Sequence, residues 1–131
     1  MDRTKYDLSR YRIEQAEKCI ISAKRNLDAE DYEDAANRSY YGIFHSMRAV
    51  LALDEINFKK HSAVIGYFRR EYIKTGIFET KYSDVIGDAF RLRGESDYED
   101  FYVISKTKVK EQVVAAEELY LVVRQYLTER I

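Results

Sequence analysis

The chain has no proline, no tryptophan and a single cysteine. Without proline, no helix interior loses an N–H or clashes with its preceding turn, so long uninterrupted helices are permitted. One cysteine, Cys19, excludes an intramolecular disulfide and fits a reducing compartment. It lies in a helical pattern, where a free thiol packs as a small apolar group. Only His45 and His61 offer imidazoles. Neither has a glutamate three residues before it, as a helical di-iron site would want. There is no Gly-rich phosphate loop, no CxxC, no HExxH and no GxSxG. No metal and no cofactor are therefore expected. An excess of one charge is also missing, since 22 Lys and Arg stand against 23 Asp and Glu for a formal net charge of −1. Any contact with nucleic acid must come from a local patch. The longest charge-free run, Ser39 to Met47, is far shorter than the roughly 20 residues a membrane-spanning helix needs. The first residues, MDRTKYDLSRYR, are charged from the second position, so no secretory signal is expected, and the expected location is cytoplasmic.

What is present is a helical period along nearly the whole chain. Hydrophobic residues make up 46% of it and charged residues 34%, the balance of a globular fold. Ile13, Ala16, Ile20, Ala23 and Leu27 recur at steps of three and four, with Asp7 or Ser9 available to cap the start. After a break at DAED, a second helix is predicted over about 32–53. Its stripe Ala36, Tyr40, Ile43, Met47 and Val50 runs beside a second of Tyr41, Phe44 and Leu51, so it should be central. A third helix over about 61–74 ends at Gly76, and a fourth over about 82–93 stops at Gly94. Residues 97–104, DYEDFYVI, read as an acidic-aromatic turn. Ser105 caps a last helix striped by Val109, Val113, Ala116, Tyr120, Val123 and Leu127. The fold class is all-α, a five-helix up-and-down antiparallel bundle forming one domain over 1–131.

Three groups can carry chemistry. On the second helix, Arg38, Tyr41 and His45 share one side, where an arginine would hold an anion and a histidine serve as acid or base. The plain alternative is that Arg38 and His45 edge the core. At the start of the third helix, Lys60 and His61 stand where free N–H groups favour an anion, and Arg69 with Arg70 extends the basic patch. A solvated cap explains the same residues. In RLRGESDYED, Arg91 and Arg93 end a helix and Asp97 and Tyr98 follow. This corner either presents an arginine to phosphate or closes on itself through an Asp97–Arg93 pair.

Taken together, RSYYGIFHSMRAVL, KKHSAVIGYF and RLRGESDYEDF resemble the HEPN domain family, in particular its small stand-alone branch, which reads R-x-YYA-x-F and later R-x-x-x-x-DY. The resemblance covers about 11–127. It implies an antiparallel bundle, commonly a homodimer, often paired with a minimal nucleotidyltransferase in toxin–antitoxin systems. Active members are metal-independent endoribonucleases whose signature is Arg, four to six residues, then His. Here Arg93 or Arg91 takes the arginine role, while Asp97 stands where the histidine should be. An ionised carboxylate cannot donate a proton as imidazolium does, and it repels phosphate. Arg38 and His45 match the spacing literally but lie too early in the chain. The expectation is a non-catalytic helical module binding a nucleotidyltransferase partner, a nucleotide or RNA. The alternative is an endoribonuclease toxin using Arg38 with His45, or Arg93 with a histidine from elsewhere.

Overall fold

Five α-helices carry the chain: α1 (Lys5–Asp28), α2 (Tyr32–Leu53), α3 (His61–Phe68), α4 (Lys81–Tyr98) and α5 (Lys106–Thr128). They are seen in a computed structural model that describes residues 3–98, 100 and 102–131, the side chains of Asp97 and Tyr98 excepted. A π-helical segment, Arg69–Ile73, continues α3. No strand occurs among the described residues. The all-α class read from the periodicity is the class observed.

The first helix starts earlier than expected. Thr4, not Asp7 or Ser9, is its N-cap, and Thr4 and Asp7 close a reciprocal capping box (3.1 and 3.0 Å). Ser9 is fully buried instead, donating its hydroxyl to the Ala49 carbonyl at 2.8 Å. Asp31 stands at the N-cap of α2, without a side-chain cap bond. Glu30 turns the chain between α1 and α2 with a φ of 62°. The helices then return antiparallel, pairing Ser9 with Ala49 and Arg12 with Arg48 near one end. Gly42 allows the close approach, because a Cβ there would sit 2.6 Å from Ile20 Cδ1.

The central position of α2 follows from its two stripes: 13 of its 22 residues are buried, including every residue of the first stripe. α5 covers α2 and α1 with the stripe read from the sequence, all six of its residues buried. Tyr120 reaches across to Glu17 at 2.6 Å. α4 packs on both α2 and α5, burying Tyr82, Ile86, Ala89 and Leu92. A second boundary differs from the expected one. Gly94 does not stop α4, which runs on to Tyr98. A glycine inside a helix costs only about 1 kcal/mol relative to alanine, and burial of the preceding stripe outweighs it. Gly76, by contrast, ends the third helical stretch with a φ of 85°, as glycine permits. No helix among the described residues is long and apolar enough to cross a membrane.

Candidate functional site

The double stripe on α2 sets out Tyr40, Tyr41, Phe44, His45 and Arg48 over little more than two turns. The loop after α2 brings His61, the first residue of α3, back onto them. The His61 ring stacks on Phe44 with centroids 4.0 Å apart, and its Nδ1 lies 2.7 Å from the Tyr40 hydroxyl. From α4, the Arg93 guanidinium rests 5.1 Å from the Tyr40 centroid and 5.2 Å from that of Tyr41. Arg48 approaches the Phe44 ring at 5.8 Å, and His45 leans on Tyr41 and Phe44 at 6.1 Å from each. Below them Arg12 of α1 is buried, donating to the Arg48 carbonyl and to Asn57 Oδ1 at 3.0 and 3.2 Å. Arg48 donates to the same Asn57 oxygen at 2.9 Å. Four helices thus supply one cluster of arginines and histidines on an aromatic floor.

The electrostatics follow from that crowding. Burial, then Arg93 and Arg48, lower the pKa of His61. Burial, then Arg48, Arg12 and His61, lower that of His45. Both imidazoles are therefore neutral at pH 7. Burial pushes the Tyr40 hydroxyl up to about 12, so it stays protonated. Burial and the neighbouring Arg48 bring Arg12 down to about 10. Among the described residues the ion pairs include neither Arg12 nor Arg48.

Between a protonated phenol and a neutral imidazole this hydrogen bond has two forms, Tyr40 donating to Nδ1 or Nδ1–H donating to the phenol oxygen. With Tyr40 as the donor, the ring proton sits on Nε2 and the half-buried His61 is a donor on that nitrogen. Tyr41 is half-buried at the rim, and Phe90 is exposed 6.1 Å from the Tyr40 ring. Such ring faces stack bases. The Arg93 and Arg48 guanidinium groups beside the aromatic rings add positive charge that favours an anion. The arrangement is suited to a phosphate with an attached base.

The residues singled out in the sequence divide. Tyr41, His45, His61 and Arg93 come together. Arg38 does not join them: it is exposed, and its guanidinium lies against Cys19 of α1. Seven residues from His45, it stands roughly 10 Å away along the axis of α2. Lys60 is exposed at the N-cap of α3, with no side-chain cap bond. Arg91 projects to the opposite side of α4 from Arg93, pairing with Asp88 at 3.3 Å beside a cleft between α4 and α5. The side chains of Asp97 and Tyr98 lie outside the described residues. Arg12, Arg48 and Asn57 were missed. Arg48 follows His45 by three residues, a helical neighbour legible in the pattern. Arg12 carried no such signal, since a buried arginine is exceptional. Among the described residues no three His, Cys, Asp or Glu side chains converge to hold a metal.

Comparison with known proteins places this geometry. The sequence model of the HEPN domain matches residues 9–126. A protein of Methanocaldococcus jannaschii named "Putative toxin MJ0142" is 35% identical over 98 residues, covering 75% of this chain and 67% of that protein. A second from the same organism, "Putative toxin MJ0605", is 38% identical over 86 residues, 66% of this chain and 64% of its own length. A "UPF0332 protein" of Thermotoga maritima is 32% identical over 103 residues, 79% of this chain and 78% of its own. The chain spans about two thirds of the length of the two toxin-named relatives.

Proposed function

We propose, on the premise that this chain belongs to the HEPN domain family, that it is a binding module which takes the phosphate of an RNA or nucleotide at the cluster of Tyr41, His45, Arg48, His61 and Arg93. The observation that carries this reading is the Tyr40–His61 hydrogen bond. In this reading Tyr40 is the donor in it, which leaves Nε2–H as the second donor of the ring and no free lone pair there to act as a base. A donor flanked by arginines binds an anion; it does not deprotonate a ribose hydroxyl. Tyr41 and Phe90 supply the stacking surfaces a base requires. The near-neutral net charge favours a short ligand or a protein companion over an extended duplex.

The resemblance also implies a homodimer and a minimal nucleotidyltransferase as companion. The toxin names of the two archaeal relatives agree with a role in a toxin–antitoxin pair. A second reading, a metal-independent endoribonuclease, draws on one observation. Arg93 and His61 meet through Tyr40, which supplies the histidine missing after Arg93.

The deciding experiment incubates the pure protein with end-labelled single-stranded RNA in EDTA and measures binding and cleavage together. Wild type is expected to bind and leave the RNA intact, with Arg93→Ala weakening binding about tenfold, near the roughly 1.4 kcal/mol that tenfold represents. Cleavage leaving 2′,3′-cyclic phosphate ends, lost in His61→Ala or Arg93→Ala, would replace the binding reading with the nuclease one. Undetectable binding in wild type would sink both at this cluster.

A further inference from the structure

Arg69 and Arg70 end the basic stretch that begins at Lys59, and the aromatic cluster uses neither. They open the π-helical segment, in which the Lys74 N–H bonds the Arg69 carbonyl at 2.8 Å. Single π-turns interrupt α-helices at a cost and recur at functional positions. Beside this one is a cleft of about 570 Å³ into which Arg69, Arg70, Lys74, Thr80 and Ser83 all open. No carboxylate is among its described lining residues.

Arg69 is set in place by α4. Its Nη2 donates to the Ser83 carbonyl at 2.8 Å, while its Nε is buried with no hydrogen-bond partner. Gly87, one turn further along α4, leaves the room, because a Cβ there would sit 3.0 Å from Nη2. Arg70 is partly committed, paired with Glu71 at 2.9 Å and lying over the Tyr67 ring. Lys81, next to Thr80 in the chain, does not line the cleft and is held by Glu118 and Glu79. Thr80 and Ser83 lie at the start of α4, whose N-terminal end carries partial positive charge. A staple between the π-helical segment and α4 would need only the Arg69–Ser83 bond. It leaves unexplained why Lys74, Thr80 and Ser83 line the same concavity with no acid among the described lining residues.

We infer that this cleft is a second phosphate-binding subsite, in which Arg69 and Lys74 meet the charge of a phosphate and the Thr80 and Ser83 hydroxyls meet its oxygens. It stands independently of the aromatic cluster. Eight residues separate Arg69 from His61, about 12 Å along the helix axis at 1.5 Å per residue. The phosphate comes either from the backbone of a strand that also reaches the cluster or from a free phosphate.

The test is an amide chemical-shift titration of the labelled protein at low salt, with inorganic phosphate in one arm and hexauridylate lacking a terminal phosphate in the other. Saturable shifts at Lys74, Thr80 and Ser83 are expected, unchanged in Arg93→Ala and lost when Lys74→Ala and Thr80→Ala are combined. Gly87→Ala, which crowds Arg69 without removing its charge, should weaken the titration. A response to hexauridylate alone assigns the site to backbone phosphates, with a salt slope lowered by about one in Lys74→Ala. A response to phosphate in either amount assigns it to the phosphate group as such. No saturable shift in either arm, or shifts retained in the combined variant with its spectrum otherwise folded, would overturn the subsite. Loss of shifts at His61 alone bears on the aromatic cluster and leaves this cleft standing.

Discussion

A histidine held neutral by burial and by arginines couples folding, binding and pH with opposite signs. The pKa values of His45 and His61 are both lowered in the fold. The unfolded chain therefore takes up these protons first as pH falls through about 6.5. Stability present above that pH is lost progressively as pH drops toward the folded pKa values. Urea midpoints should fall between pH 7.5 and 5.5, and less steeply in His45→Gln with His61→Gln. Anion binding moves the other way, since each protonated ring adds a positive charge. RNA affinity should rise over the same interval in wild type and stay flat in the double variant. A flat wild-type profile would remove the histidines from the site. Tyr40→Phe tests the tautomer directly. With Tyr40 as the donor, nitrogen shifts of His61 should report Nε2–H in wild type and a mixture of tautomers in the variant; Nδ1–H in wild type would reverse the hydrogen bond and sink the donor reading. Periodicity marked Tyr40 as core, and so it is. Its hydroxyl, the part that matters to chemistry, has no periodic signature.

At the scale of elements, α1 and α2 form the frame on which the cluster is laid. Their closest approach is Gly42 against Ile20. Gly42→Val should destabilise by about 2 kcal/mol, the usual range for an overpacked core contact. Combined with Ile20→Val, which removes the clashing Cδ1, the loss should be smaller than the sum of the single changes, a coupling of at least about 0.5 kcal/mol in denaturant titrations. Strict additivity would mean that the helices separate rather than press on each other. Thr4→Ala should cost about 1 kcal/mol through loss of the capping box, read from the same titrations. The first cap was misplaced because Asp7 carries the right chemistry at the wrong position. It is the reciprocal partner at the third residue of the helix, and the cap lies three residues before it. Gly94 misled for a related reason, since glycine ends a helix only where the following chain has somewhere better to go.

For the whole molecule, the resemblance implies a dimer, and static light scattering should give a mass near twice the 15.5 kDa of the chain. A single-chain mass at high concentration would count against that assembly and against any site completed by a second copy. Four helices contribute to the aromatic cluster, so it exists only in the folded chain. Arg12→Met keeps the volume but strips the hydrogen bonds to the Arg48 carbonyl and Asn57. It should lower stability by roughly 1–3 kcal/mol, the cost of leaving buried partners unmet. It should also loosen Arg48, weakening RNA binding even at temperatures where the fold persists.

What the sequence determined by itself is the helical frame: no proline to break it, two adjacent stripes that put α2 at the centre, and a last stripe whose six residues are all buried. Those readings succeed because apolar spacing is a local property of 3.6 residues per turn. The chemistry was legible only in pieces. His45, His61 and Arg93 were picked out on three separate helices, and Arg38 with them, because nothing in spacing tells which side of a helix faces a neighbour's polar group. Tertiary packing made that decision. It turned Arg38 toward Cys19, laid Arg93 on Tyr40 and Tyr41, and brought His61 back over Phe44. Burial and neighbouring positive charge, which keep both histidines neutral, are sums over residues distant in sequence, and only the folded chain performs them.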